Sequence, residues 1–194
     1  MKILIISPYY YPNINPRPYR WTKIAELWAK DGHEVTIVTE KQTQHKNEEV
    51  LNGVRIQRTG FAAFKSMLAN ENRGVVRDRK QNSWIQKILR WVNNGIWKKL
   101  YFPDDSCIWY FSAVKAAEKI AIEQNIEVII SSSLPFTAHL VALRLKEKYP
   151  ALKWIADSGD PFSLQIEAPL NNHFFYAGLN RYFEKKVLAT AYHT

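Results

Sequence analysis

Arg17 and Arg20 stand three residues apart where a helix is expected to begin, in Pro16-Arg-Pro18-Tyr-Arg20. A cation is mildly disfavoured at the positive end of a helix, so two guanidinium groups there call for a reason. Arginine binds phosphate and carboxylate through a planar fork of donors, and the free N–H groups of a first helical turn attract anions too. Far along the chain, Asp157-Ser-Gly-Asp160-Pro161 offers two carboxylates in one turn. Ser131, Ser132 and Ser133 offer three hydroxyls, and Tyr10 a phenol. Aspartate and serine are also common in turns for purely local reasons. Their meaning therefore depends on where the fold puts them.

The elements that position them are readable. Lys2–Ser7 is a short apolar run rich in β-branched residues, the pattern of a strand buried on both faces. The proline-rich stretch Pro8–Pro18 cannot be helical. Pro18 suits the first position of a helix, which runs to about Lys30 and stops at Asp31-Gly32. Glu34–Thr39 is the next strand, which makes a βαβ unit. Lys41–Asn52 is polar and reads as a loop, closed by the turn signal Asn52-Gly53. Val54–Arg58 alternates apolar and basic residues, as a strand nearer an edge would.

Phe61–Lys80 has weak periodicity. Ser83 is placed as an N-cap for a helix over Trp84–Tyr101, whose aliphatic residues share one face. Pro103-Asp-Asp-Ser106 caps a further helix to about Gln124. Val128–Ser132 is a buried strand, Pro135 opens a helix to about Lys148, Leu152–Ala156 is a strand, and Leu179–Thr190 is a terminal helix. Alternating strands and helices predict an α/β fold: a three-layer, Rossmann-like domain with a mainly parallel, doubly wound sheet. In such a sheet ligands bind beyond the carboxyl ends of the strands. The loops Pro8–Arg20, Ser131–Pro135 and Asp157–Pro161 each follow a strand, so they are expected to meet around one cleft. His33 and His139 read as structural residues, one at a helix-to-strand turn and one inside a helix pattern.

The 194 residues, 46% of them hydrophobic, suffice for one large domain with a real core. The lone Cys107 excludes an internal disulfide and suggests a reducing compartment. No apolar run approaches the ~20 residues of a membrane span. The net charge of +9 is uneven: Ala62–Tyr101 holds nine Lys and Arg against two acidic residues. With Trp84, Trp91 and Trp97 beside Lys87, Arg90 and Lys98, the Trp84–Tyr101 segment has one surface suited to anionic lipid. No nucleic-acid signature is present, and nucleic acid is not expected as a partner. The Gly-x-Gly-x-x-Gly of dinucleotide enzymes is missing after the first strand. The chain also stops in or just after a helix where a further strand would be expected, so it reads as a fragment of a longer protein.

The opening "MKILIISPYYYP…RW…LWAKDGHEVTIVTE" resembles the start of the GT-B glycosyltransferases of the large retaining family four, with Gly32-His33-Glu34-Val35 at the matching turn. "FPDDSCIWYFSA" is similar to a Pro-Asp…Trp segment of one branch, at Pro103, Asp104 and Trp109. "EVIISSSLPFTAHLVALRLKEKYPALKWIADSGDPF" resembles that branch's strand–helix–strand ending in D-x-R-D-P-W, and Tyr182-Phe-Glu184 its glutamate-bearing helix. The resemblance covers nearly all of the chain. Two departures stand out. The first loop lacks the glycines that many members carry, and Gly159 replaces the branch's arginine.

The resemblance implies that residues 1–194 form the N-terminal, acceptor-side domain of a retaining glycosyltransferase, with the donor-binding domain absent. It implies a nucleotide-sugar donor as substrate, no cofactor and no essential metal. The acceptor would be a saccharide or a polyprenyl-diphosphate-linked glycan, as in surface polysaccharide assembly. Arg17 and Arg20 would meet phosphate, while Tyr10, Ser132 and Asp157 would contact substrate. Asp160 would be the catalytic carboxylate of this half. The protein is expected in the cytoplasm, with the inner face of the cell membrane as a docking surface for 84–101. The alternative is a non-catalytic, membrane-associated binding module on the same fold. Alone, the fragment is expected to be inactive.

Overall fold

Strand β1 (Lys2–Ile6) is the centre of the molecule, because both of its faces are covered. The structure is a computed structural model, which describes residues 1–12, 16–41, 45–60, 100–165 and 169–194. Ile3 and Ile5 point to one layer and Leu4 and Ile6 to the other, all at 2% exposure or less. Each such side chain contributes roughly 1.5–3 kcal/mol on burial.

After β1 come helix α1 (Pro16–Lys30), strand β2 (Glu34–Glu40), strand β3 (Glu48–Leu51) and strand β4 (Val54–Thr59). Helix α2 (Trp109–Glu123), strand β5 (Val128–Ser132), helix α3 (Thr137–Lys148) and strand β6 (Lys153–Asp157) follow. A short 3-10 turn (Phe162–Leu164) and helix α4 (His173–Thr190) complete the described elements. The strands form one six-stranded sheet in the order β3-β4-β2-β1-β5-β6. Every pairing is parallel except that of β3 with β4. This is the doubly wound α/β sheet that the alternating pattern predicts. The chain runs outward from β1 through β2 and then returns to β5 on the other side of β1. The sheet's topological switch point therefore lies between β1 and β5.

One layer packs α1 on the sheet, with Trp21 and Ala25 against Ile3, Ile5, Val35, Ile37, Val54 and Ile56. The other packs α2 and α3, with Trp109, Ala113, Ala117, Val141 and Leu145 against Leu4, Ile6, Val38, Ile129 and Trp154. The small residues of α2 let the helix approach the strands closely.

Several boundaries differ from the sequence reading. The polar stretch 41–52 contains β3, which pairs antiparallel with β4 across the turn Asn52-Gly53. Both turn residues have positive φ, 50° and 81°, as a two-residue hairpin turn requires. Helix α1 begins at Pro16 rather than Pro18, and α4 at His173 rather than Leu179. Helix α2 begins at Trp109 without a side-chain cap. Asp104 and Ser106 serve a turn before it: Asp104 accepts from the Ser106 N–H at 3.0 Å and reaches across to α3. The Ser83 cap and the helix placed over 84–101 lie outside the described residues, apart from their last two positions. Beyond α4, His193 forms a parallel bridge with Ile155 at the outer edge of β6.

Candidate functional site

The carboxyl ends of β1, β5 and β6 carry the loops that hold the candidate residues. The loop after β1 is fixed by the sheet itself. Ser7 donates its N–H to Val38 and its hydroxyl to the Tyr9 carbonyl, and Thr39 donates its hydroxyl to the Pro8 carbonyl at 3.0 Å. Arg58, 3% exposed at the end of β4, donates to the Tyr11 carbonyl at 3.1 Å and pairs with Glu49 at 2.5 Å. A buried charge is tolerated when paired and fully hydrogen-bonded. Arg58 thus ties the first loop to the β3–β4 hairpin.

Arg20 projects from α1 to the last residue of β6, where its Nη2 donates to Asp157 Oδ2. The Trp21 indole donates to the same oxygen at 2.8 Å, and the Ser132 hydroxyl approaches it at 3.4 Å. The Arg20 guanidinium also lies 5.8 Å from the centre of the Trp21 ring. All of these contacts fall on Oδ2. Among the described residues nothing is bonded to Asp157 Oδ1. The side chain of Arg20 is 52% exposed and that of Asp157 is 24% exposed. A ligand can therefore meet both.

Of the sequence-predicted residues, then, Arg20, Asp157 and Ser132 come together. Asp160 lies exposed in the turn three residues beyond Asp157, and that turn is held from behind. Glu184 of α4 accepts from the backbone N–H groups of Phe162 and Ser163, the latter at 3.2 Å. Phe162 stacks on Phe136 with ring centres 4.1 Å apart, which joins this turn to the loop after β5. The side chain of Arg17 lies outside the described residues. Tyr10 lies deeper than the other candidates. It is 3% exposed and packs with Trp21 beneath α1, and burial holds its hydroxyl pKa above the ordinary range. Its ring supports the helix that presents Arg20 rather than lining the open surface.

Several residues behind these loops were not singled out by the sequence as site residues. Asp104, 1% exposed, accepts from the backbone N–H of Thr137 at 2.8 Å, the Thr137 hydroxyl at 2.7 Å and the Ser106 N–H. Burial pushes its carboxyl up to about 6, against the pull of those hydrogen bonds. It fixes the start of α3, directly after the β5 loop. His139, fully buried on α3, contacts the Ser131 hydroxyl at 2.7 Å through Nδ1 and the Ser158 hydroxyl at 3.1 Å through Nε2. Burial lowers its imidazole to about 4, although nearby Asp157 pulls the other way. In the sequence, Asp104 is marked only by its place in Pro103-Asp-Asp-Ser106 and the Pro-Asp…Trp segment, and His139 only as a polar residue within an apolar helix pattern. Among the described residues no group of three or more His, Cys, Asp or Glu side chains could hold a metal ion, and no helix is long and apolar enough to cross a membrane.

No protein-family model matches the chain, and no curated protein matches it by sequence. Among solved structures it is similar to the sucrose-phosphate synthase of Thermosynechococcus elongatus, at 12% identity and a TM-score of 0.57 over 98% of this chain. The chain spans 40% of that protein's length. At this identity the likeness concerns the fold alone: a six-stranded, mostly parallel α/β sheet flanked by helices, matching a Rossmann-like half of the GT-B type.

Proposed function

We propose that the chain is the acceptor-side half of a GT-B glycosyltransferase, which transfers a sugar from a nucleotide-sugar donor to a saccharide or lipid-linked acceptor. One observation carries the reading: Arg20 and Ser132 converge on Asp157 Oδ2 beside the switch point of the sheet, and among the described residues Oδ1 has no hydrogen-bond partner. A cation next to an unsaturated carboxylate suits a ligand that brings both phosphate and sugar hydroxyls. The guanidinium would neutralise charge growing on a departing or neighbouring diphosphate. Oδ1 would accept a hydroxyl proton from the saccharide. Asp160, on the turn braced by Glu184, is the carboxylate we assign to the reacting end.

In this reading a second domain supplies the base and ribose contacts, and the resemblance to family four implies retention at the transferred sugar. The basic, tryptophan-bearing stretch 84–101 faces anionic lipid and brings the cleft to a polyprenyl-diphosphate acceptor at the cytoplasmic membrane face. Surface polysaccharide assembly is the process this suits. The 194-residue chain by itself binds acceptor and does not turn over.

The test is a pair of measurements. Full-length protein is assayed for transfer of labelled sugar from UDP- and GDP-sugars to a polyprenyl-diphosphate glycan. The 194-residue chain is titrated by calorimetry with the same sugars and with acceptor saccharide. Transfer by the first, with acceptor but not donor binding by the second, supports the reading. Micromolar nucleotide-sugar affinity in the 194 residues would reassign this half to the donor. Lipid binding without transfer in the full-length protein would leave a membrane-bound module.

A further inference from the structure

A hydrogen-bond relay runs from the core to the exposed turn after β6. The Trp154 indole, fully buried on β6, donates to the Ser131 hydroxyl oxygen at 2.8 Å. Ser131, also fully buried, sits 2.7 Å from His139 Nδ1, and His139 Nε2 sits 3.1 Å from the Ser158 hydroxyl. Ser158 is the exposed residue next to Asp157 in the candidate turn.

The protons along this relay can be assigned. An indole N–H is only a donor, so the first step runs from Trp154 to Ser131. The Ser131 hydrogen then needs an acceptor, and among the described residues the one bonded to it is His139 Nδ1. If Nδ1 carried a proton instead, the Ser131 hydrogen would be buried without a partner, which is costly. The imidazole is fully buried and neutral at physiological pH, so it carries one proton, and that proton is on Nε2. His139 therefore donates to the oxygen of Ser158. The Ser158 hydrogen cannot point back at the ring and is left to point elsewhere.

We propose that Ser158 is a ligand-binding hydroxyl whose hydrogen is turned outward to donate, and that His139 is the positioning residue that turns it. The ligand atom is an oxygen of the acceptor saccharide, taken up beside Asp157 Oδ1. Ser158 gives a hydrogen bond there while Asp157 accepts one, so the two neighbouring residues read opposite ends of a sugar hydroxyl pattern. Such a paired donor and acceptor selects a polyol over a purely anionic ligand. The assignment of the ligand rests on the acceptor-side reading above. The proton order along the relay does not.

Two measurements test it. Nitrogen-15 NMR of the His139 imidazole in the 194-residue chain reports the tautomer directly; neutral Nε2–H is expected, and Nδ1–H or a charged ring at neutral pH overturns the relay. Acceptor affinity and transfer kinetics of the full-length protein are then compared for variants. Ser158→Ala should raise the acceptor KM by roughly threefold to tenfold, the worth of one neutral hydrogen bond, with kcat nearly unchanged. His139→Asn keeps an acceptor for Ser131 but falls short of Ser158, and should show the same KM rise. His139→Gln, whose amide reaches the Nε2 position, should restore it. A merely structural histidine would instead show both substitutions lowering stability with no split between KM and kcat. Wild-type acceptor KM in Ser158→Ala overturns the proposal while leaving the transferase reading intact. Absence of any saccharide binding by wild-type protein overturns the reading and the ligand assignment together, while the measured tautomer still judges the relay.

Discussion

Trp21 donates its indole N–H to Asp157 Oδ2 at 2.8 Å, across 136 residues of sequence. That bond joins the first helix to the far edge of the sheet, and it holds the carboxylate even where Arg20 is lost.

It follows that the role of Arg20 separates from its contribution to stability. The pair is half exposed on the arginine side, and exposed ion pairs contribute about 0.2–1 kcal/mol. Arg20→Ala should lower urea stability by less than ~1 kcal/mol. In the full-length enzyme it should lower kcat/KM by about 100-fold or more, some 2.7 kcal/mol of transition-state stabilisation. A folded variant with near wild-type turnover would remove Arg20 from the site.

Asp160 itself is exposed, while its turn is braced behind it by Glu184 and by Phe162 stacked on Phe136. Asp160→Asn should keep the fold and reduce kcat/KM by at least ~100-fold, mainly in kcat. Glu184→Gln should act differently: it weakens the brace, so unfolding and turnover should decline together. Steady-state kinetics set beside thermal unfolding of each variant decides.

Acid stability carries two opposed signatures. Burial lowers His139 from 6.5 to about 4. The unfolded chain takes up that proton first, so stability falls as pH drops from 6.5 towards 4, by up to about 3 kcal/mol. Burial raises Asp104 from 3.8 to about 6. Here the folded chain holds the proton more tightly, so a contribution of about 3 kcal/mol present at low pH is lost as pH rises from 3.8 through 6. Between 4 and 6 the slopes oppose and the wild type should be nearly flat. Asp104→Asn removes one of them and should lose stability steadily on acidification. Urea unfolding at several pH values across this window checks the sign.

Membrane attachment through 84–101 should show in liposome co-sedimentation. Binding should rise with anionic lipid and fall with salt, because the Debye length shrinks from ~10 Å at 0.1 M to ~3 Å at 1 M. Exchanging Lys87, Arg90 and Lys98 for Glu should abolish it. Binding indifferent to lipid charge and to those exchanges would assign the segment to packing.

How much of this was legible depended on how local each signal was. Strand β1 was plain because burial on both faces writes a continuous apolar run. Strand β3 was hidden because Glu48-Glu-Val-Leu51 is a short, half-exposed edge, although Asn52-Gly53 marked the hairpin turn. The start of α4 was missed because Phe174 and Phe175 face solvent, at 88% and 71% exposure, so no apolar stripe precedes Leu179. The convergence of Arg20 with Asp157 followed from strand order, since both belong to the carboxyl edge. Tyr10 shared that edge in sequence yet turned inward under Trp21, a choice made by packing. The links of Asp104 to Thr137 and of His139 to Ser158 are tertiary, and no spacing in the chain announces them.

Among the described residues strand β6 stands at one end of the sheet, and residues 191–194 cover part of its outer edge. Tyr192 donates its N–H to the Trp154 carbonyl at 2.7 Å, and the Ala156 N–H reaches the His193 carbonyl at 2.9 Å. An uncovered strand edge is a template for pairing with another chain. The segment Lys-Trp-Ile-Ala-Asp would be such a template if residues 191–194 were trimmed. A chain ending at Thr190 should therefore self-associate with rising concentration, seen as growing light scattering, while the 194-residue chain stays dispersed. The choice of expression boundary would then govern whether samples aggregate.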